Sequence, residues 1–127
     1  AFELGIGDRV DWREYVPDAE LENAYRQARV FVFLSDYEGF AMTPLEALAY
    51  GVPSVLLDTP ISREVYGEAA RLVGPDPATI ANALRTLLTN DDVHADLLAR
   101  GRTRLAAFSW VTTAGAVRTA LEEAADE

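Results

Sequence analysis

The stretch from Asp36 to Glu46, DYEGFAMTPLE, sets two carboxylates, Glu38 and Glu46, on either side of a glycine and the start of a helix. Glycine at position 39 takes away the side chain that would hold a ligand off the backbone. The N–H groups that follow Thr43 at a helix start are free donors at the positive end of the helix dipole, an arrangement that suits an anion such as a diphosphate. An ionised carboxylate only accepts hydrogen bonds, so Glu38 and Glu46 could each hold a pair of neighbouring hydroxyls of a polyol. Taken alone, these residues describe an anion or polyol site.

Structural alternatives stand beside that reading. Thr43-x-x-Glu46 has the form of a capping box, in which Glu46 would reach back to the cap N–H and contribute about 1 kcal/mol with no ligand needed. Glu38 could be a solvated loop acid. Arg63 could approach a phosphate, but an arginine beside Glu64 reads as a surface ion pair. His94 reads as ordinary surface, Trp12 and Trp110 as packing residues, and Tyr37 beside Glu38 is open to either use.

The elements that must position the loop follow from apolar periodicity. Val30 to Leu34 is a continuous apolar, β-branched and aromatic run, predicted as the best strand of the chain and as covered by helices on both faces. Ahead of it, Pro17-Asp18 opens a helix whose residues Leu21, Ala24, Tyr25 and Ala28 form one buried face. After it, a helix is expected from about Pro44 to Tyr50, closed by Gly51. Ser54 to Leu57 repeats the buried-strand pattern, a short helical turn follows around Ser62 to Tyr66, and Arg71 to Val73 is a third, weaker strand. The alternation predicts a three-layer, Rossmann-like α/β fold with a parallel sheet, right-handed crossovers and helices on both faces.

The ends of the chain read differently. Ala1 to Gly5 resembles the end of a helix stopped by glycine, and Val10 to Trp12 a short extended piece. Asp76 and Pro77 open a helix with Ile80, Ala83, Leu84, Leu87 and Leu88 on one face. Val93, Leu97, Leu98, Leu105 and Phe108 mark another. Ser109 caps a last one, with the stripe Trp110, Ala114, Val117, Leu121 and Ala124, and Leu121 to Glu127 is a solvated terminus. The C-terminal third is therefore helical.

Composition narrows the classes of function. The chain has 127 residues, half of them hydrophobic, which fits a single domain over 1–127 with an ordinary core. No cysteine and one histidine leave little for a disulfide, a zinc site or a Ser/His/Asp triad. A formal net charge of −10 argues against a nucleic-acid or anionic-membrane partner. All the basic residues are arginines, which removes a phosphate-loop lysine. No apolar run is long enough to span a bilayer, so no integral membrane segment and a cytoplasmic location are expected.

The residues also carry a resemblance. Glu38 to Pro53 (EGFAMTPLEALAYGVP), with its E-x7-E spacing, resembles the donor-site signature of the retaining glycosyltransferases of family 4, the group 1 transferases. Glu64 to Ala70 (EVYGEAA) is similar to that family's next motif, and Phe108-Ser109-Trp110 to the phrase opening its last long helix. The resemblance implies the C-terminal half of a GT-B fold, binding a nucleotide-sugar donor. A missing N-terminal domain would take the acceptor in cis, and upstream strands would be absent. It implies Glu38 as the catalytic carboxylate beside the reacting carbon, and Gly39, Phe40, Ala41 and Met42 as the backbone lining sugar and phosphate. Glu46 would take the ribose hydroxyls, Leu45 would pack by the ribose, and the backbone at Tyr15-Val16 would border the base. No cofactor and no bound metal are expected, because no Asp-x-Asp pair precedes the site.

The sequence departs from the family pattern at three places. Ala41-Met42 stands where Gly-Leu is usual, Glu14 where glycine is usual, and the basic pair that meets the diphosphate in the family belongs upstream of residue 1. The same fold also serves sugar-nucleotide epimerases, which do not need the E-x7-E phrase, and non-catalytic regulatory or scaffold domains.

Overall fold

The computed structural model describes residues 3–125. Among these residues a parallel sheet of three strands runs in the order β1 (Phe31–Phe33), β2 (Ser54–Leu57), β3 (Arg71–Val73). Phe31 lies opposite Ser54 and Val32 opposite Val55, while Leu56 faces Phe33 on one side and Leu72 on the other. The helices are α1 (Asp18–Gln27), α2 (Met42–Ala49), α3 (Pro60–Val65), α4 (Pro77–Thr89), α5 (Asp91–Leu105) and α6 (Trp110–Ala125). The predicted α/β class with helices on both faces is what the chain adopts.

Strand alternation sorts the core into layers. Leu56 packs with Leu45 and Leu48 of α2 and with Val65, Tyr66 and Ala70. Its neighbour Val55 points the other way, to Ala83 and Leu87 of α4 and Leu97 of α5. At the β1 edge Tyr25 and Ala28 join Phe31, Ala47 and Val52 in a third cluster.

Helix starts follow local chemistry. Asp76 accepts the Thr79 N–H at 2.8 Å with Pro77 in the first turn of α4, as the sequence indicated. The Asn90 side chain caps α5 and Thr59 caps α3 in the same way.

Several expectations need correction. β1 is less covered than expected: β2 is the middle and most buried of the three strands, while Val32 of β1, at one side of the sheet, is 40% exposed. An apolar run records that a segment is strand-like but not whether a helix reaches each face. In α1 only Tyr25 is buried, with Leu21 and Ala24 exposed. α6 buries none of its residues, so its apolar stripe faces outward. Trp12 and Trp110 are 84% and 80% exposed and are not packing residues. Phe108 lies beyond the end of α5.

At the termini, Glu3 to Gly5 form a turn with Gly5 at φ 64°, and Val10 is extended without a strand partner. The expected helix end at Ala1-Phe2 and the last acids Asp126 and Glu127 lie outside the described residues. Among the described residues no helix is long and apolar enough to cross a membrane.

Candidate functional site

Because all three strands are parallel, the segments leaving their carboxyl ends lie at one edge of the sheet, where open α/β sheets bind ligands. The segment from Leu34 to Ala41 leaves β1 at that edge and enters α2. α2 begins two residues earlier than the sequence indicated. Its cap is Ala41, in the left-handed region at φ 65° and ψ 69°, with no side chain bonded to the helix start.

This earlier start changes two readings. Thr43 sits inside the first turn, so the capping box with Glu46 does not form. The unused donors at the helix start are then the N–H groups of Ala41, Met42 and Thr43, since Pro44 has none. With no capping oxygen among them, they keep their capacity for an anion.

Gly39 borders these donors. A Cβ built there would meet nothing within 4 Å, and its φ is not in the left-handed region, so neither packing nor backbone of the chain itself demands glycine. That side of the loop backbone is open. Glu38 is half-buried, and among the described residues no arginine lies within ion-pair distance of it. Phe40 and Met42 are exposed, and Tyr37 more so.

Glu46 faces α1, one turn further along α2. It is exposed, and its carboxylate accepts the Tyr25 hydroxyl at 3.3 Å, a long contact. Tyr25 in turn stacks on Tyr50, with ring centroids 5.3 Å apart and planes 9° from parallel. Burial, and then the Glu46 charge, push the Tyr25 phenol above its ordinary range. A cleft of about 440 Å³ lies between the helices, lined by Asp18, Leu21, Glu22, Tyr25, Glu46 and Tyr50. Its carboxylates, with Glu22 paired to Arg26 at 2.5 Å, can accept from groups that donate, such as sugar hydroxyls.

The structure does not gather every residue that the sequence singled out. Leu45 is buried in the core with Leu56 and Tyr66, so its side chain is taken up by packing. Val16 is half-buried and lines a separate cleft with Trp12, Arg13 and Glu20, apart from the one at Glu46. Arg63 makes a two-pronged pair with Asp58, at 2.5 and 2.8 Å, rather than with Glu64. The Arg63 guanidinium holds the Asp58 carboxyl below its usual range. His94 receives no ligand role either, its Nε2 lying 3.0 Å from the Arg29 carbonyl oxygen.

Three side chains behind the loop were given no role on sequence grounds. Tyr66, just past α3, is 1% exposed and donates its hydroxyl to the Ala41 carbonyl. Phe108 meets Phe40 edge-on at 5.6 Å, a favourable aromatic geometry. Arg104 lies over Phe108 at 5.0 Å and donates to the Val65 and Glu64 carbonyls at 2.6 Å each. Tyr66 and Phe108 stand inside the two downstream phrases quoted above, which was the available signal. Periodicity alone could not tell a hydroxyl aimed at a loop carbonyl from one more core aromatic.

The chain is similar in sequence to known proteins. A match to O-antigen chain mannosyltransferase B of Escherichia coli is 37% identical over 108 residues, covering 82% of this chain and 28% of that protein. D-inositol 3-phosphate glycosyltransferase of Frankia alni is 37% identical over 122 residues, 92% of this chain and 30% of the relative. Mannosylfructose-phosphate synthase of Agrobacterium fabrum is 47% identical over a shorter 53 residues, 42% of this chain and 12% of the relative. The chain spans less than a third of the length of these curated relatives. Residues 1–104 match the family described as "Glycosyl transferases group 1", and the chain belongs to that family of glycosyltransferases.

Proposed function

We propose that this chain is the nucleotide-sugar-binding part of a retaining glycosyltransferase with a GT-B fold, and that the acceptor, a hydroxyl of a sugar or polyol, is bound by another part of the protein. The observation that carries the reading is the uncapped start of α2. Among the described residues, the N–H groups of Ala41, Met42 and Thr43 end the β1–α2 loop with no side-chain oxygen to satisfy them, next to a Glu38 that makes no ion pair.

The chemistry follows from those groups. As the bond from the sugar carbon to the diphosphate oxygen breaks, its electron pair leaves with the diphosphate, the acceptor hydroxyl oxygen bonds to the same carbon on the same face, and the acceptor proton passes to the leaving diphosphate, whose growing charge meets the fixed N–H groups and the helix dipole. Positive charge grows on the sugar ring at the same time, and the Glu38 carboxylate stabilises it while accepting hydrogen bonds from sugar hydroxyls. Glu46, in its acidic cleft, accepts from the ribose hydroxyls.

The test is turnover of wild-type and Glu38→Ala enzyme, in the full-length transferase, with UDP- and GDP-sugars, the product anomer being read by NMR. Wild type should retain the donor's anomeric configuration. Glu38→Ala should lower turnover by about a hundredfold or more, since a group acting in the transition state affects rate. Its stability should change by less than about 0.5 kcal/mol, as for a loop substitution. Wild-type turnover in Glu38→Ala would remove the catalytic role, and an epimerised sugar nucleotide as product would move the chain to another reaction class.

A further inference from the structure

We propose that Tyr66 is a positioning residue for the donor loop, its hydroxyl holding the Ala41 carbonyl and so keeping the left-handed turn that opens α2. The inference rests on the reading of that loop as the donor site.

The backbone at Ala41 is the starting point. A φ of 65° places it in the left-handed region, and it is the one non-glycine residue there among the described residues. A residue with a Cβ disfavours that region and stays in it only when its surroundings hold it. At Ala41 the surroundings are specific. The residue is 7% exposed, and its carbonyl receives the hydroxyl of Tyr66, 25 positions away in sequence. One side chain from beyond α3 thereby reaches the cap of α2.

Tyr66 is itself immobilised. It follows α3, whose last carbonyls, those of Glu64 and Val65, are both held by Arg104 from α5. The guanidinium that holds them also covers Phe108, and Phe108 braces Phe40, the residue before Ala41. Two adjacent loop residues are therefore held from the same frame, one by ring packing and one by a hydrogen bond. The hydrogen bond has the sharper consequence, because it sets the peptide that follows Ala41. That peptide carries the Met42 N–H, one of the donors assigned to the diphosphate.

Tyr66→Phe keeps the ring and removes the hydroxyl. In the full-length transferase, with UDP-glucose and GDP-mannose measured in parallel as donors, the variant should lose about tenfold in donor kcat/KM, since small misplacements of preorganised groups cost rate steeply. Ala41→Gly added to Tyr66→Phe should recover at least about threefold, because glycine takes this φ without a Cβ. Leu87→Ala, in the core on the far face of the sheet, serves as the control for stability alone. It should lower Tm at least as much as Tyr66→Phe and leave donor kcat/KM within about twofold of wild type.

A Tyr66→Phe enzyme within twofold of wild type overturns the proposal, as does an equal kinetic loss in Leu87→Ala or the absence of rescue by Ala41→Gly. Should Tyr66→Phe fail to fold, the double variant decides the matter, and a donor kcat/KM more than about fivefold below wild type overturns it. Glu38→Ala at wild-type turnover, or a wild-type enzyme that turns over neither donor, strikes instead at the donor-site reading beneath it.

Discussion

At Glu46 a carboxylate stands exposed between two helices with a single long hydrogen bond from Tyr25 at 3.3 Å. It caps nothing, because α2 opens at Ala41 rather than at Thr43. Removing its charge should therefore leave the fold nearly unchanged. Glu46→Gln is expected to alter stability by less than about 0.5 kcal/mol, the usual range for exposed side chains away from caps and cores. A hydrogen bond to a charged group contributes about 1.5–3 kcal/mol, so exchanging the carboxylate for an amide should raise the donor Michaelis constant by about tenfold. Thermal melts and donor kinetics on the same preparation separate the two effects, and a fall in Tm with an unchanged Michaelis constant would remove Glu46 from the site. The E-x7-E spacing was legible because it lies within one local stretch. The left-handed turn at Ala41 and the hydroxyl that holds it were not, because their partnership spans 25 residues and alanine carries no mark of a positive φ.

Among the elements, α5 ties the molecule together, packing on both α2 and α4 and reaching the turn after α3. Its close approach to α2 occurs at Gly101, where a Cβ would stand 2.6 Å from Leu48 Cδ2. Leu48 is buried under its neighbours in the core and has little freedom to withdraw. Overpacking costs about 1–3 kcal/mol, while alanine in a helix gains about 1 kcal/mol over glycine. Gly101→Ala should consequently destabilise by about 1 kcal/mol, read as a shift of the denaturation midpoint with unchanged slope. A stabilised variant would show that the two helices part easily. Element identities were largely legible, since β2, β3 and α4 fall where continuous apolar runs, Asp76 and Pro77 placed them. Burial was less so. Val32 and the stripe of α6 are as apolar as core residues yet lie exposed, because whether a neighbouring element reaches a face depends on topology and not on the face itself.

For the whole molecule, charge sets what the donor edge can hold. The chain carries a formal net charge of −10, and all its Lys/Arg cations are arginines. Arg63 is committed to Asp58 and Arg104 to the carbonyls of Glu64 and Val65. On the donor-site reading proposed above, diphosphate binding by this chain alone falls to the three N–H groups and the dipole of α2. A helix dipole is worth about 0.3–1 kcal/mol at an exposed end, and hydrogen bonds to a charged group about 1.5–3 kcal/mol each. Association itself costs at least about 4 kcal/mol, so the isolated 127-residue chain should bind UDP and GDP no more tightly than about 40 μM. Mild acid should not help by freeing Arg63. The Asp58 carboxyl is held below its usual range, so the pair is fully formed at neutral pH and breaks only as pH falls through that lowered value. Calorimetry with UDP and GDP between about pH 5 and 8 should accordingly give weak binding that varies little across the range. Submicromolar affinity would show that the N–H groups suffice without a further cation, and strengthening toward pH 5 would show that Arg63 leaves Asp58 for the phosphate.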